Sequence, residues 1–275
     1  MCEKKRRILS IGAHPDDADT YSGGLLQKLQ EAGWEIRLLS VTDGSAGTYR
    51  DELDRPKLAA MRREEAAASG RLLGGLYEVL DYPDGQLEVT LAARERLIRY
   101  IRAYAPDVII TNRPNDYHAD HRNTALLIQD ASFLLTVPHI CPDVPALADV
   151  PAILFWNDDF KKPYPHQPDI IVPLKSARED FKVRLACCHE CQYFDWMYYP
   201  HHMEKIDWPR EEQIAELAAR FRRSSHREAE SLREKLLAKY GDEGANIEYC
   251  ESYEISEYGE APCEEFLAVA EALEY

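Results

Sequence analysis

The sequence predicts an α/β fold, a Rossmann-like three-layer sandwich with a mostly parallel sheet, followed by a helical C-terminal extension. Short apolar runs alternate along the chain with longer stretches in which apolar residues recur at helical spacing. This alternation is typical of parallel β-α-β units with right-handed crossovers. Two of the apolar runs also end directly in clusters of histidine and aspartate. Open α/β sheets place their functional sites at such strand ends.

Six short apolar runs predict the strands. The first is bounded by Gly12, and the second is broken by the turn-forming residues Thr42, Asp43 and Gly44. The runs are too short for helices and suit strands that are buried on both faces. In chain order the predicted strands are residues 8–11, 35–41, 76–80, 108–111, 152–156 and 170–173.

Seven stretches predict helices. Gly33 marks the end of the first, Pro56 suits the first turn of the second, and Ser176 is a suitable N-cap for the fifth. The long charged stretch near the C-terminus has an apolar face that includes Leu217 and Phe221. In chain order the predicted helices are residues 19–33, 56–73, 91–104, about 122–135, 176–189, 211–240 and 266–273.

Composition narrows the classes of partner and compartment. The formal net charge of -16 argues against nucleic acid and against an anionic membrane surface, since both would repel the chain. The basic N-terminal residues are not followed by an apolar run, so we expect no signal peptide, and no window approaches the ~20 apolar residues of a membrane span. The 7 cysteines form no disulfide-like framework, which favours a reducing, cytoplasmic location.

The first polar cluster follows the first predicted strand. His14, Asp16 and Asp17 arrive in one turn, and Pro15 stiffens that turn by fixing its own φ and moving His14 out of the helical region. An isolated turn of this kind is ordinary chemistry, because Pro and Asp are common turn formers. Its place at the carboxyl end of the first strand predicts half of a metal site.

The second cluster repeats this arrangement after the fourth predicted strand. His118 and His121 have the same three-residue spacing as His14 and Asp17, so one or both can face the same point from a neighbouring strand end. A lone pair of this kind is more often surface chemistry than a ligand pair. Because both clusters follow strands of one predicted sheet, we favour a shared metal ion.

These residues permit metal-assisted hydrolysis. Histidine and aspartate are zinc ligands, and a catalytic zinc site keeps three protein ligands plus water. A ligand set of His14, Asp17 and His121 leaves Asp16 and His118 unbound but adjacent. A bound divalent metal lowers the pKa of water toward ~7, a nearby carboxylate can take its proton, and a second imidazole, if protonated, can stabilise an oxyanion.

Several motifs in order resemble those of the PIG-L/LmbE-like zinc-dependent N-deacetylases. Residues 13–17 read AHPDD, the signature of that family, and residues 116–121 resemble its second motif, H-P-D-H. Between them, residues 42–44, Arg62 with Glu65, and the turn at 81–87 match the family's order. Residues 189–192 are similar to its H-x-S-Q segment, so the resemblance covers about residues 6–195.

The resemblance implies a Rossmann-like fold, one zinc ion per chain and removal of acetyl from an N-acetylglucosamine-type sugar or its conjugate; another divalent metal could replace zinc. Carried over by position, it places zinc on three residues and gives catalytic roles to two more, Asp16 as general base and His118 as the residue that steadies the tetrahedral intermediate. The implied zinc ligands are His14, Asp17 and His121. Arg62 and Asp84 match family positions that contact the sugar.

The chain also departs from the family pattern. Ala18 stands where most members have Glu, Ala119 replaces the usual Pro, and Cys191 replaces Ser. None of these changes removes a ligand or the base, but Ala18 affects the support of the ligands, for which Asp19 could compensate.

Three alternative functions stay open: an amidase for a bulkier amide of the thiol-conjugate type, a non-catalytic relative used as a binding subunit, and a nucleotide-binding module. The last would need a Gly-rich phosphate turn after the first strand, where this chain has carboxylates.

We expect a deacetylase domain over residues 1–210 and a helical, acidic extension over residues 211–275 that packs on the same domain and can serve self-association into a homo-oligomer. The aromatic segment around His201 and His202 could line a sugar-binding mouth, although packing is the commoner role of such a segment.

Overall fold

A computed structural model describes residues 5–198 and 207–274, and shows a seven-stranded sheet with helices on both faces. The strand order is β3-β2-β1-β4-β5-β7-β6, in which β7 alone runs antiparallel to its neighbours. The strands are β1 (Arg7–Gly12), β2 (Glu35–Thr42), β3 (Leu76–Tyr82), β4 (Val108–Thr111), β5 (Ala152–Trp156), β6 (Ile170–Leu174) and β7 (Tyr249–Ile255). The predicted fold class is confirmed.

Ten α-helices fall within the described residues, joined in places by short 3₁₀ turns. They are α1 (Asp17–Thr20), α2 (Gly23–Glu31), α3 (Arg55–Leu72), α4 (Leu91–Tyr104), α5 (Ala119–Ser132), α6 (Ser176–Ala186), α7 (Glu190–Tyr193), α8 (Arg210–Ser231), α9 (Arg233–Tyr240) and α10 (Glu264–Ala270).

Two apolar layers sandwich the sheet, because successive side chains of a strand point to opposite faces. Ile8 of β1 packs in one layer with residues of α2, α6 and α10. Leu9 of the same strand packs in the other layer with residues of α4 and α5. These buried layers fix the positions of the strand ends at which the polar clusters lie.

The helix predicted over residues 19–33 is wrong as one element, because it is two helices separated at Tyr21–Ser22. A Cβ on Gly24 would lie 2.7 Å from both Leu174 methyl carbons, so this glycine lets α2 pack closely on β6. The Glu251 carboxylate of β7 accepts the N–H groups of Gly24 and Leu25, at 2.9 Å each, and provides the new helix with its N-terminal partner. Only the tertiary fold supplies these contacts.

Two smaller predictions are also corrected. Ser176 is the first residue of α6 and not its cap, since Lys175 holds the N-cap position without a side-chain hydrogen bond. The long helix predicted over 211–240 is interrupted at Leu232, where α8 ends and α9 begins.

The C-terminal segment contains a strand, β7, that its sequence did not predict. Glu251, Ser252 and Glu254 interrupt the apolar pattern there, yet Glu251 and Ser252 are buried between β5 and β6.

The division of the chain into two parts at residue 210 stays a prediction. His201 and His202 lie outside the described residues. Within the described ranges, every helix is too short or too polar to span a lipid bilayer.

Candidate metal centre and active site

The two polar clusters meet because β1 and β4 are parallel neighbours that end at the same edge of the sheet, with Ile11 opposite Thr111. Gly12 permits the tight turn after β1, since a Cβ there would lie 2.5 Å from the Cβ of Asp17. Thr42, at the end of β2, holds the turn through its Oγ1, which donates to the Ala13 carbonyl at 2.7 Å. The turn is therefore held by the end of the neighbouring strand β2.

Three donor atoms converge at this edge. His14 Nδ1 lies 3.1 Å from His121 Nε2 and 3.6 Å from Asp17 Oδ2, and His121 Nε2 lies 3.4 Å from the same oxygen. Metal–ligand bonds of about 2.1 Å in a tetrahedral site give ligand separations of about 3.4 Å. The three atoms thus have the spacing of ligands to one small cation.

The opposite ring nitrogens of both histidines face carboxylates. His14 Nε2 lies 3.2 Å from Asp84 Oδ1 and 3.4 Å from Asp120 Oδ2, and His121 Nδ1 lies 3.0 Å from Asp116 Oδ2. Carboxylates in this position orient metal-bound imidazoles and raise their basicity. The donor set and its surroundings therefore fit a divalent cation.

The electrostatics of the cluster favour positive charge between the two rings. Burial lowers the pKa of His14, but Asp120, Asp17 and Asp84 outweigh that effect and raise it well above the usual value. Burial also lowers the pKa of His121, but the charge of Asp17 and the neighbouring Asp116 outweigh that effect and raise it. Conversely, His121 and His14 lower the pKa of Asp17 despite its burial. A metal cation bound between the two rings would be attracted by the same carboxylates.

Asp16 is buried beside the converging atoms and belongs to the same cavity. Burial, together with the Asp17 carboxylate, raises the pKa of Asp16 to about 6. A carboxylate whose pKa lies near neutrality is well suited to accept and return a proton.

His118 is the N-cap of α5, and its Nδ1 accepts the Asp120 N–H at 3.1 Å. Its ring centroid lies 4.6 Å from that of His14. Burial and the neighbouring His14 and His121 lower the pKa of His118. The ring is therefore arranged as a neutral imidazole that can donate through Nε2–H without prior protonation. One of its nitrogens also lies within 4.8 Å of ring nitrogens of His14 and His121, so His118 is an alternative to Asp17 as the third donor, and the predicted ligand set stays a prediction.

The cavity lined by His14, Asp16, Asp17 and His121 has a volume of about 830 Å³, and His118 is not among the described residues that line it. Two exposed aromatic side chains, Tyr117 and Phe160, lie at the rim of the cavity, beside the turns that contain His14 and His121. Their rings stack with their centroids 6.2 Å apart. Phe160 belongs to a segment held by the fully buried Arg113, which donates to Asp158 at 2.9 Å and to the Phe160 carbonyl at 3.3 Å.

Several known proteins are similar in sequence to this chain. Residues 9–132 match the PIG-L family, described as GlcNAc-PI de-N-acetylase. The diacetylchitobiose deacetylase of Thermococcus kodakarensis is 30% identical over 196 residues, which cover 68% of this chain and 70% of that protein. This chain belongs to the PIG-L family.

An enzyme of another reaction class is also similar to this chain. The 4-oxalmesaconate hydratase of Pseudomonas putida is 24% identical over 212 residues, 72% of this chain and 79% of that protein. Among solved structures, the N,N'-diacetylchitobiose deacetylase of Pyrococcus horikoshii has a TM-score of 0.71 at 24% identity, over 93% of this chain and 85% of that one. The family and the fold predicted from the sequence are confirmed, as is an enzyme of the deacetylase class.

Two residues predicted to bind substrate, Arg62 and Asp84, lie close to the centre but behind it. Asp84 faces His14 Nε2, and its Oδ2 accepts the Ala46 N–H at 3.0 Å. Arg62 is buried under the loop at 44–47, where its Nη2 donates to the Gly47 carbonyl at 3.0 Å. Neither is among the described residues that line the cavity. Their contact with substrate stays a prediction.

Behind Asp16 lies a buried pair that bears on the departure at Ala18. The Asp19 Oδ2 lies 2.7 Å from His189 Nε2 and also accepts a hydrogen bond from Ser69. Asp19, His189 and Ser69 are all fully buried. Asp19 thus holds the histidine of the H-x-S-Q-like segment beneath the turn that contains His14. That Asp19 compensates for the Glu replaced by Ala18 stays a prediction.

Asp116 and Asp120 were not predicted as site residues, although they flank His118 in the second motif. Both are buried acids, one five positions and one a single position before His121. Their spacing from His121, a predicted metal ligand, was the available signal. Asp116 faces the His121 ring and Asp120 faces the His14 ring, and only the folded turn shows which ring each carboxylate faces.

Proposed function

We propose that this protein is a zinc-dependent hydrolase that removes the acetyl group from an N-acetylglucosamine-type sugar or its conjugate. The convergence of His14, Asp17 and His121 beside the free carboxylate of Asp16 carries the proposal. The named activities of the deacetylase relatives support it. The proposed ligands are these three residues, the proposed base is Asp16, and His118 is the proposed oxyanion donor.

His14, Asp17 and His121 would hold the zinc ion, which would supply Lewis-acid polarisation and a water of lowered pKa when bound. The Asp16 carboxylate accepts the proton that the attacking water loses. The same group, then protonated, donates to the leaving amine nitrogen as the C–N bond breaks. His118 Nε2–H donates to the oxygen of the former carbonyl, while its Nδ1 stays fixed by the Asp120 N–H.

The decisive experiment joins metal analysis with an acetate-release assay on N-acetylglucosamine, its glycosides and N,N'-diacetylchitobiose. We expect about one zinc per chain and acetate release from at least one sugar. Asp16→Asn should keep the zinc and lose about 10²–10⁴-fold in turnover, the usual contribution of a general base. Asp51→Asn, which changes an exposed aspartate in a loop, is the matched control. Full turnover by the Asp16 variant, or a folded protein that binds no metal, would refute the proposal.

The hydratase among the relatives makes addition of water to a carbon–carbon double bond a second candidate. Turnover of an unsaturated di- or tricarboxylate without acetate release would select it. Cleavage of a thiol conjugate of the sugar amide would select the bulkier amidase. A folded protein that binds sugar without turnover would be a binding subunit. The cytoplasmic location and homo-oligomeric assembly stay predictions.

A further inference from the structure

The segment between β5 and β6 forms one side of the cavity that His14 and His121 line. Residues 157–169 contain no helix or strand, although the structure describes all of them. Residues 157–160 line the cavity, and we call residues 157–164 the cavity wall. Irregular segments of this kind are more mobile than the elements they connect unless side chains hold them. The contacts that hold the cavity wall therefore decide the shape of this side of the cavity.

Arg113 anchors the cavity wall. Its side chain is fully buried, and its Nη1 donates to Asp158 Oδ1 at 2.9 Å and to the Phe160 carbonyl at 3.3 Å. Its Nη2 donates to the Tyr164 carbonyl at 3.2 Å, and its Nε donates to Glu254 of β7 at 3.1 Å. A guanidinium presents its donors in a rigid plane, so it also sets where its partners lie. One side chain thus fixes the wall at three residues and joins it to the sheet.

The anchor belongs to the same short stretch of chain as two histidines of the site. Arg113 lies between the end of β4 and the turn that contains His118 and His121. Asn115, in the same stretch, adds a second contact, since its Nδ2 donates to the Tyr164 carbonyl at 3.0 Å. The position of the cavity wall is thereby tied directly to the turn with the two histidines.

A series of ring contacts connects the cavity wall to those histidines. The Phe160 ring stacks on Tyr117, and the Tyr117 ring meets His118 and His121 edge to face. The centroid distances from Tyr117 to the two imidazoles are 5.7 and 5.3 Å. Ring pairs in these arrangements attract each other. A displacement of the wall would therefore remove the ring that supports Tyr117 beside both imidazoles.

We propose that Arg113 is a positioning residue of the active site, which holds Phe160 on Tyr117 and keeps the cavity wall in the conformation that binds substrate. Within the part of the chain that the structure describes, Arg113 does not line the cavity, so it acts through the wall. The role rests on the proposed function, because it concerns binding of the same substrate. The wall lies outside the segment 9–132 that matches the family, so the match does not assign this role.

The test is a double-variant cycle with Arg113→Lys and Phe160→Ala in the zinc-loaded full chain. Arg113→Lys keeps the charge beside Asp158 and Glu254 but loses the planar set of donors, so the wall is in place in only a fraction of the molecules. Apparent affinity falls by that fraction, and we expect KM for the preferred sugar of the acetate-release assay to rise about tenfold while kcat changes much less. Phe160→Ala should also raise KM. Because both changes act through one contact, the double variant should be no worse than Arg113→Lys alone.

A second buried arginine provides the matched control. Arg102 donates to carbonyls of the loop 134–144, and none of that loop lines the cavity. Arg102→Lys should lower Tm, as Arg113→Lys does, yet leave KM unchanged. Trypsin cleavage after the exposed Lys161 gives a readout that does not depend on activity. We expect this cleavage to be faster in Arg113→Lys than in the wild type and unchanged in Arg102→Lys.

Three results would overturn the proposal while leaving the deacetylase assignment intact. They are an unchanged KM in Arg113→Lys, additive effects of the two substitutions on KM, and an equal rate of cleavage after Lys161 in Arg113→Lys and the wild type. An equal rise of KM in Arg102→Lys would also reject it, because any loss of a buried arginine would then have the same effect. If Arg113→Lys does not fold, Asn115→Ala, which removes the other hydrogen bond to the Tyr164 carbonyl, takes its place in the cycle.

Failure of the proposed function gives a different result. If the wild type releases acetate from no sugar, that function fails, and the calorimetric Kd for N,N'-diacetylchitobiose replaces KM in the same cycle. Coupled losses of affinity in the Arg113 and Phe160 variants would then still support the positioning role. Independent losses, or a wild type that binds no sugar, would reject it.

Discussion

At the scale of single residues, the site depends on which partner each imidazole nitrogen has. The sequence predicts that His14, Asp17 and His121 lie close together, because neighbouring parallel strands end at the same edge of a sheet. It could not predict that Asp84, from a separate turn, would lie against His14 Nε2. That contact is set by Asp43, whose Oδ1 accepts the Asp84 N–H at 3.1 Å and the Ser45 N–H at 3.0 Å.

The carboxylate behind His121 provides a test at this scale. Asp116→Asn removes the charge that faces His121 Nδ1 but keeps an oxygen able to accept the His118 N–H, at 2.9 Å in the wild type. We expect zinc affinity to fall about 10–100-fold, as when other outer carboxylates are lost. Competition with a chromophoric chelator measures the change. Asp130→Asn, an exposed aspartate on α5, should leave the affinity unaltered, and an equal loss in that variant would count against the assignment.

At the scale of elements, the strands and helices that follow from local pattern were predicted well. The strands β4 and β5 and the helix α4 have the predicted bounds, since their apolar spacing and flanking turns suffice to define them. The break before α2 and the strand β7 were not predictable in that way. Both depend on Glu251, a charged residue in a buried strand whose partners are Gly24, Leu25 and Lys182.

The contact between α8 and β7 makes stability depend on pH. Burial raises the pKa of Glu228 to about 7, and its carboxyl group is hydrogen-bonded to Ser252. The folded state then holds this proton more tightly than the unfolded chain, whose glutamate pKa is ~4.3. The contribution of Glu228 to stability is therefore complete below the unfolded pKa and declines as pH rises toward 7.

Glu228→Gln keeps the shape of the side chain and removes its ionisation. We expect the variant to have a higher Tm than the wild type at pH 8, where the wild-type carboxylate must be buried as an anion. At pH 5 the two Tm values should converge. Calorimetric scans at both pH values measure the difference, and Glu230→Gln, an exposed residue two positions along, is the control. A gap that is larger at pH 5 would contradict the buried-acid explanation.

At the scale of the whole molecule, the C-terminal segment completes the sheet. β7 lies between β5 and β6 and pairs with both, so the contacts of the first part of the chain are not sufficient to join β6 to the sheet. The notion of an extension beyond residue 210 followed from the helical pattern of 211–240. The sequence offered no local sign that a later strand would enter the middle of the sheet.

The consequence can be tested by ending the chain at residue 210. We expect the shortened protein to aggregate or to lack cooperative unfolding, because β5 and β6 lose their shared partner and α2 loses Glu251. Gel filtration and circular dichroism measure both outcomes. Supplying residues 211–275 as a separate chain during expression should restore some soluble protein. A shortened chain that folds and binds zinc alone would show that the boundary at 210 is a true domain limit.

The late position of β7 also imposes an order on assembly during synthesis. Domains tend to form from the N-terminus as the ribosome releases the chain. Here β5 must present an unpaired backbone edge from the time it emerges until residues 249–255 follow, and such an edge is a template for wrong pairing. A nascent chain stalled before those residues would contain the turns with His14 and His121 but no closed active site, so competence would arrive only with the last part of translation.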